Sequence, residues 1–464
     1  MHVLSYRGSG AAGGVSAMLS QAQSARRLSN SNWVHLNQSA VTVESLLAGE
    51  NKMHFSLPKE MVENHYRYAN EFIWPIMHDL PQFAQYDANK HRAYVELNAC
   101  FASVASLAAN ENQSERDFFV NDYQLAPAVR YLAKNGAWTL NMFWHIPWPR
   151  HVMMSARPYI AQLVEGMLAS SFIGFHTEEY VLNFLNFVKT NLPEYTVDWD
   201  RRLVFGDKNG RVNATRVVAA PLGIDFEWWQ NAADGDDPET DRLIASLSKG
   251  KPFIFSADRA DYTKGILERI EIADKLFRDN PELVGEISFM QICYPTRAGI
   301  SAFDAYWREA RERGKHVNER WRRGEWEPIV WLDKPVPPPI LAKFYKAARV
   351  MLVSAVRDGL NLTAKEYVAS QKEEPGALVL SQHAGAFSEM GDYAIALNPY
   401  SIDQGVSAIK RALRMSLKER AFRTKSMQRL LRGNSAEKWW HLLTQEQAFP
   451  LPFNESLYPR KRAM

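Results

Sequence analysis

The sequence predicts an α/β chain built on two doubly wound parallel sheets, and three observations carry that prediction. Its 464 residues are enough for two domains with full cores. Short apolar runs alternate with longer helical stretches, the order that produces parallel sheets covered by helices. The apolar run 350–355 reads as a buried parallel strand, and it turns at Asp358-Gly359 into a helix starting near Leu362. Such a turn sets free backbone N–H groups and the positive end of a helix dipole at a strand's carboxyl end, where phosphates bind in open α/β folds. Asp358 at the turn can accept hydrogen bonds from hydroxyls. Glu366, about one helical turn further on, can hold a ribose diol. The same residues also make a plain strand–turn–helix corner with an Asp cap.

In chain order, Met1–Arg7 reads as a first strand, Gly8–Gly14 as a glycine-rich loop, and a helix begins near Val15. Strand, glycine loop and helix N-terminus make a candidate diphosphate site, although glycine loops also serve as turns. Residues 30–60 are short strands and turns. Pro58–Asp79 is helical with an aromatic face and ends in Trp74-Pro75, and Ala93–Asn110 is a long apolar helix. Strands follow at Asp117–Val120, Trp138–Trp144 and Phe172–His176, with a helix at Glu178–Leu192. Pro221–Asp225 closes the first half. Gln230–Asp241 is polar and rich in breakers, and reads as linker or the start of the second domain. The second half has strands at Lys251–Ala257, Glu286–Cys293 and Val330–Leu332, helices at Lys264–Asn280 and Ser301–Arg323, and final helices from Asp403 to about Gln447. Trp439-Trp440 suggests that the last helix packs on both domains.

Lys+Arg 55 against Asp+Glu 52 gives a net charge of +3, which implies no strong field for nucleic acid or membranes. No apolar run approaches bilayer length, and no secretory leader is visible. Cys100 and Cys293 lack metal spacing and read as free thiols in a reducing, cytoplasmic compartment. No zinc-like cluster, Ser/His/Asp order or carboxylate pair stands out, so no metal or resident cofactor is expected. The segment Asp258–Gly265 places two cations, Arg259 and Lys264, near a helix N-terminus. There they can stabilise a leaving diphosphate without a metal, or simply sit on the surface.

Several segments, in order, resemble the trehalose-6-phosphate synthase family of retaining glycosyltransferases. These are Asp122-Tyr-Gln-Leu, His145-Ile-Pro-Trp-Pro149, Gly174-Phe-His-Thr177, Asp258-Arg-Ala-Asp-Tyr-Thr-Lys-Gly265, Arg357-Asp-Gly-Leu-Asn-Leu362 with Ala364-Lys-Glu-Tyr367, Leu380-Ser-Gln-His-Ala-Gly385 and Asn398-Pro-Tyr400. The resemblance covers nearly the whole chain and is clearest from about Asp122 onward. It implies two Rossmann-like domains facing across a cleft, the GT-B arrangement. The acceptor domain would span residues 1–228, the nucleotide-sugar domain 229–436, and a helix and tail, 437–464, would pack back on the first domain.

The resemblance further implies glucose transfer from a nucleotide-glucose, UDP-glucose or GDP-glucose, to glucose 6-phosphate. Donor contacts would come from Gly14, Asp358, Gly359, Leu360, Asn361, Leu362 and Glu366. The catalytic set would be Arg259, Lys264, Asp122 and His145, and the acceptor set Arg7, His65, Trp74, Tyr123 and Arg297. Arg357 would be structural. His65 stands where the family has an acceptor-site Tyr, and Asn121 and Gln124 stand where it has His. These departures keep open a sister enzyme with another phosphorylated acceptor, such as a glucosylglycerol-phosphate synthase, or one using a cyclitol. A catalytically dead regulatory homologue would have lost Arg259, Lys264 or Glu366, and all three are present. The partners expected are small-molecule substrates alone, with the oligomeric state, homo-oligomer included, left open.

Overall fold

The computed structural model describes residues 1–8, 32–47, 50–111, 116–208 and 211–445. Gly14 and the helix expected from Val15 lie outside the described residues.

Ten strands form the first sheet: β1 His2–Arg7, β2 Asn32–Asn37, β3 Thr42–Leu47, β4 Glu50–Ser56, β5 Asp117–Asn121, β6 Thr139–Phe143, β7 Phe172–Phe175, β8 Tyr195–Asp198, β9 Leu203–Lys208 and β10 Arg211–Ala219. Their order is β4-β3-β2-β1-β5-β6-β7-β10-β9-β8. The centre, β2 through β10, is parallel, and β3, β4, β8 and β9 add antiparallel wings. The edge strand β8 has no buried side chain, and β8 to β10 were not anticipated. The second sheet is wholly parallel: β11 Phe253–Ala260, β12 Ser288–Pro295, β13 Ile329–Leu332, β14 Val350–Val353, β15 Ala377–Ser381 and β16 Ile395–Leu397, ordered β13-β12-β11-β14-β15-β16. Every side chain of β14 and β15 is buried, as a strand covered by helices on both faces requires.

The polar stretch 230–241 is mostly helical. Helices Phe226–Ala233 and Pro238–Ser248 cover its two ends. Its breakers are helix-start signals: Asp237 accepts a hydrogen bond from Thr240 N and Pro238 occupies the first turn. Phe226, Trp229 and Ala233 pack with Phe255 of the second sheet and with Tyr345 on the helix Pro338–Ala347. The final helix, Ala436–Gln445, crosses back: Trp439 and Trp440 are buried against Phe119 and Phe143 of the first sheet and Leu360 of the second domain. Asn434 Nδ2 bonds Pro221 O at 3.0 Å, fixing that crossing. Among the described residues no helix is long and apolar enough to cross a membrane.

Candidate active site

The turn after β14 is held from three sides. Val356 and Arg357 N–H both donate to Thr263 O, and Asp358 N–H donates to His383 O at 3.0 Å. A Cβ on Gly359 would stand 2.1 Å from the His145 carbonyl oxygen, so only glycine lets the loops of the two domains touch there. Asn361, at φ +76°, caps the helix Leu362–Ala369 by accepting from Ala364 N.

Asp358 is the electrostatic centre of this turn. Its Oδ2 accepts from Lys264 Nζ at 2.5 Å and from Asn361 Nδ2 at 3.0 Å. Burial pushes its pKa up, but the Lys264 ammonium, with the Asn361 amide and His78, holds it below the ordinary carboxylate value. Lys264 arrives on the short turn before the helix Ile266–Asp279. A Cβ on Gly265 would meet Ser354 O at 2.0 Å, and its φ is +64°, so the next residue must be glycine. Arg259 makes no ion pair among the described residues. Burial, then repulsion from Arg297, lowers its pKa, as expected of a cation held ready for an anion. Glu366 sits in the helix with Oε2 accepting from Tyr345 OH at 3.2 Å, and burial raises its pKa to about 7.

Opposite, on the first domain, β5 is followed by Asp122 at φ +70°. Its Oδ1 accepts from Tyr123 N–H at 2.9 Å and His145 N–H at 3.0 Å. Burial nevertheless raises the carboxyl to about 7. The His145 ring is occupied by scaffold: Nε2 meets Asn121 Oδ1 at 2.8 Å and Nδ1 meets His176 Nε2 at 3.1 Å. Leu222 N–H donates to His176 Nδ1 at 3.3 Å. Because an amide N–H can only donate, the protons in this chain run from His176 to His145 to Asn121. Burial holds His145 at about 3, so it is neutral. The carbonyl of His145 is what faces the loop at Gly359.

Tyr66, Asn70, Trp74 and His78 follow at intervals of four and all line one cavity. A regular α-helix would rotate each such step by about 40°. The π-helical turn Tyr68–Ile73 widens the helix and keeps them on one side, a common device at functional sites. Arg297, at φ +49°, reaches this row from the second domain. Its Nε donates to Asn70 Oδ1 at 2.7 Å and its Nη1 to Asp261 Oδ2 at 2.5 Å, and it stacks 3.9 Å over the Trp74 ring. Burial alone would raise Asp261, but Arg297 together with Lys264, the Thr263 N–H and Arg259 outweighs it and holds the carboxyl at about 2.

Two joined cavities result. One, of about 520 Å³, is lined by Asp258, Tyr294, Val336, Leu341, Leu360, Asn361, Leu362 and Glu366. The other, of about 250 Å³, is lined by Tyr6, Tyr66, Asn70, Trp74, His78, Asp122, Tyr123, Gln124, Gly359 and Arg297. Arg7, His145, Arg259, Lys264 and Asp358 line both. Among the described residues no group of three or more His, Cys, Asp or Glu side chains is placed to hold a metal ion.

The structure thus brings together the expected residues with two exceptions. Gly14 is not described. His65 is not in the cavity wall: it is fully buried between Tyr6 and Tyr94, with ring centroids 5.1 and 5.2 Å away. Burial lowers its pKa to about 4, so it does not titrate near neutrality, and its neighbour Tyr66 takes the wall position. Arg357 lines neither cavity, and its guanidinium meets Asp79 at 3.1 Å. Sequence reading passed over Asn70, Tyr66, His78 and Asp261. The interval of four was the available signal for the first three, and the π-turn that makes it meaningful has no mark in composition.

A family model described as Glycosyltransferase family 20 matches residues 5–448. The chain belongs to glycosyltransferase family 20. It is a glycosyltransferase of the trehalose-6-phosphate synthase family with the GT-B fold. Among its relatives, the bifunctional trehalose-6-phosphate synthase/phosphatase of Thermoproteus tenax is 34% identical over 393 residues, 82% of this chain and 51% of that one. The chain therefore spans about half the length of that relative. The trehalose-6-phosphate synthase of Enterobacter sp. is 31% identical over 392 residues, 83% of this chain and 80% of the other. Two solved structures superpose with a TM-score of 0.87. One, from E. coli, is bound with UDP-2-fluoro glucose, is 28% identical, and is matched over 97% of this chain and 99% of its own. The other, an α,α-trehalose-phosphate synthase (UDP-forming) from Burkholderia xenovorans in complex with glucose-6-phosphate, is 27% identical over 96% and 99%.

Proposed function

We propose that this family 20 enzyme transfers glucose from UDP-glucose to glucose 6-phosphate with retention, giving α,α-trehalose 6-phosphate. The observation that carries the reading is the pair of joined cavities with Arg259 and Lys264 at their junction. The 520 Å³ cavity suits a nucleotide sugar in size and lining: Glu366 for the ribose, apolar Val336 and Leu341 for a base, and a helix N-terminus at Leu362 for phosphate. The 250 Å³ cavity suits a hexose phosphate, with Arg7 and Arg297 for the phosphate and Trp74 and Tyr66 for the ring. The relatives named above support the choice of substrates.

The chemistry follows from the charges. The bond from the glucose anomeric carbon to the diphosphate breaks as negative charge gathers on the β-phosphate, which Arg259 and Lys264 stabilise. The acceptor hydroxyl attacks on the face the diphosphate leaves, so the anomeric configuration is retained. Its proton passes to the departing phosphate oxygen, and no enzyme nucleophile is needed. Asp122 and the His145 carbonyl flank the junction and orient sugar hydroxyls. With His65 removed from the cavity wall and the phenol of Tyr66 present there, that substitution gives no reason to prefer a different acceptor. The test is product formation from UDP-glucose with glucose, glucose 6-phosphate and glycerol 3-phosphate side by side. Glucose 6-phosphate should be the substrate. Equal rates with free glucose would refute the phosphate clamp, and preference for glycerol 3-phosphate would move the enzyme to a sister activity.

A further inference from the structure

Tyr6, one position before Arg7 on β1, lines the smaller cavity and is only 5% exposed. Its hydroxyl has no hydrogen-bond partner among the described residues. The amide of Gln38, in an exposed turn, approaches it without completing a bond. Buried hydroxyls are almost always bonded, and one left open on a cavity wall is a group that a ligand can satisfy. The ring is not free to turn away. It lies parallel to His65 at 14°, and His65 stacks in turn on Tyr94 at 26°. Two of the three rings are bolted to the chain after β5: His65 Nε2 meets Gln124 O at 3.0 Å and Tyr94 OH donates to Tyr123 O at 2.5 Å.

The surroundings say what kind of ligand atom it meets. The hydroxyl lies close enough to Arg7 and to the Tyr66 hydroxyl to feel both, and Tyr66 in turn lies beside Arg297. Tyr6 is therefore on the side of the cavity where the two arginines concentrate positive charge. Burial raises its pKa, so it stays protonated and can donate.

We infer that Tyr6 is an acceptor-binding residue whose hydroxyl donates a hydrogen bond to the phosphate of the hexose phosphate, between Arg7 and Arg297. This rests on the reading of the smaller cavity as the acceptor site. It also gives His65 a role: a neutral flat ring that positions the Tyr6 phenol, not a contact to the sugar.

The test is Tyr6→Phe, which keeps the ring and the stack. Glucose 6-phosphate is titrated calorimetrically into enzyme saturated with UDP, with the melting temperature followed in parallel. The expected result is a Kd raised about 5-fold or more, with UDP affinity within twofold and the melting temperature unchanged. Other hexose 6-phosphates that bind the wild type, such as 2-deoxyglucose 6-phosphate, should weaken by the same factor, because the phosphate is common to them. An unchanged Kd would overturn the role of Tyr6 alone. A loss confined to one sugar would place the hydroxyl on a ring substituent and overturn the phosphate contact. Failure of the wild type to bind any hexose 6-phosphate would overturn the acceptor reading and this inference with it.

Discussion

Replacing Arg297 by Ala acts on two things that the structure lets one separate. The guanidinium faces the smaller cavity, and a charge-assisted bond from it to a phosphate is worth about 1.5–3 kcal/mol. At 1.4 kcal/mol per decade, the acceptor KM should rise about 10- to 100-fold while the donor KM stays near its wild-type value. The same side chain also neutralises Asp261, whose carboxylate is fully buried. Breaking a buried pair costs on the order of 3–5 kcal/mol, so the variant should melt lower. Asp261 at about 2 in the folded protein, against an ordinary 3.8, stabilises the fold above the ordinary value and loses that contribution as pH falls toward 2. Without Arg297, burial is opposed only by Lys264, the Thr263 N–H and Arg259, so the carboxyl pKa rises and acid sensitivity moves to higher pH. The double variant Arg297→Ala, Asp261→Asn removes the stranded charge. It should recover most of the stability and none of the acceptor affinity. The assay is initial rate with glucose 6-phosphate varied at saturating UDP-glucose, then the reverse, beside thermal melts at several pH values. Equal rises in both KM values, or recovery of acceptor KM in the double variant, would refute the assignment of Arg297 to the acceptor.

Lys264→Ala should cost about 3 kcal/mol of transition-state stabilisation, a turnover loss of 10²- to 10³-fold at saturating substrates, and near wild-type turnover would remove Lys264 from the mechanism. Activity should survive excess EDTA, since cations occupy the place where a metal would neutralise the diphosphate; loss on chelation restored by Mg²⁺ or Mn²⁺ would contradict that. Glu366 titrates near 7 in the free enzyme, and ribose hydroxyls bond best to its ionised form, so UDP affinity should fall as pH drops below about 7 and the dependence should flatten in Glu366→Gln. A pH dependence of UDP binding unaltered in that variant would take Glu366 out of the donor site.

The second domain was the more legible half of the sequence. Its central strand β14 is buried on both faces and reads as a continuous apolar run, and the helix at Leu362 begins where the turn signal placed it, while β15 and β16 were not anticipated. The antiparallel wings of the first sheet and the helix pair around 226–248 were harder. Exposed strands carry no such run, and Asp237-Pro238 is at once a loop signature and a helix start. At the site, most residues that line the two cavities could be named from motif order. What could not be read were relations made by backbone shape: the π-turn that lines up Tyr66, Asn70, Trp74 and His78, the pairing of Arg297 with Asp261 across a gap of 36 residues, and the burial of His65 behind Tyr6. His65 shows the physical reason. A histidine on a helix face is the same letter whether it meets solvent, sugar or another ring, and only the packing of β1 against that helix decides which.

Retaining transfer between the two joined cavities leaves its mark in the stereochemistry of the product. UDP-glucose labelled with ¹³C at the anomeric carbon is incubated with glucose 6-phosphate and the enzyme, and the product is followed by NMR as it forms. The expected result is a single labelled α-anomeric signal coupled across the glycosidic oxygen to an α-linked glucose 6-phosphate. A β-anomeric signal, or labelled free glucose as the only product, would contradict it.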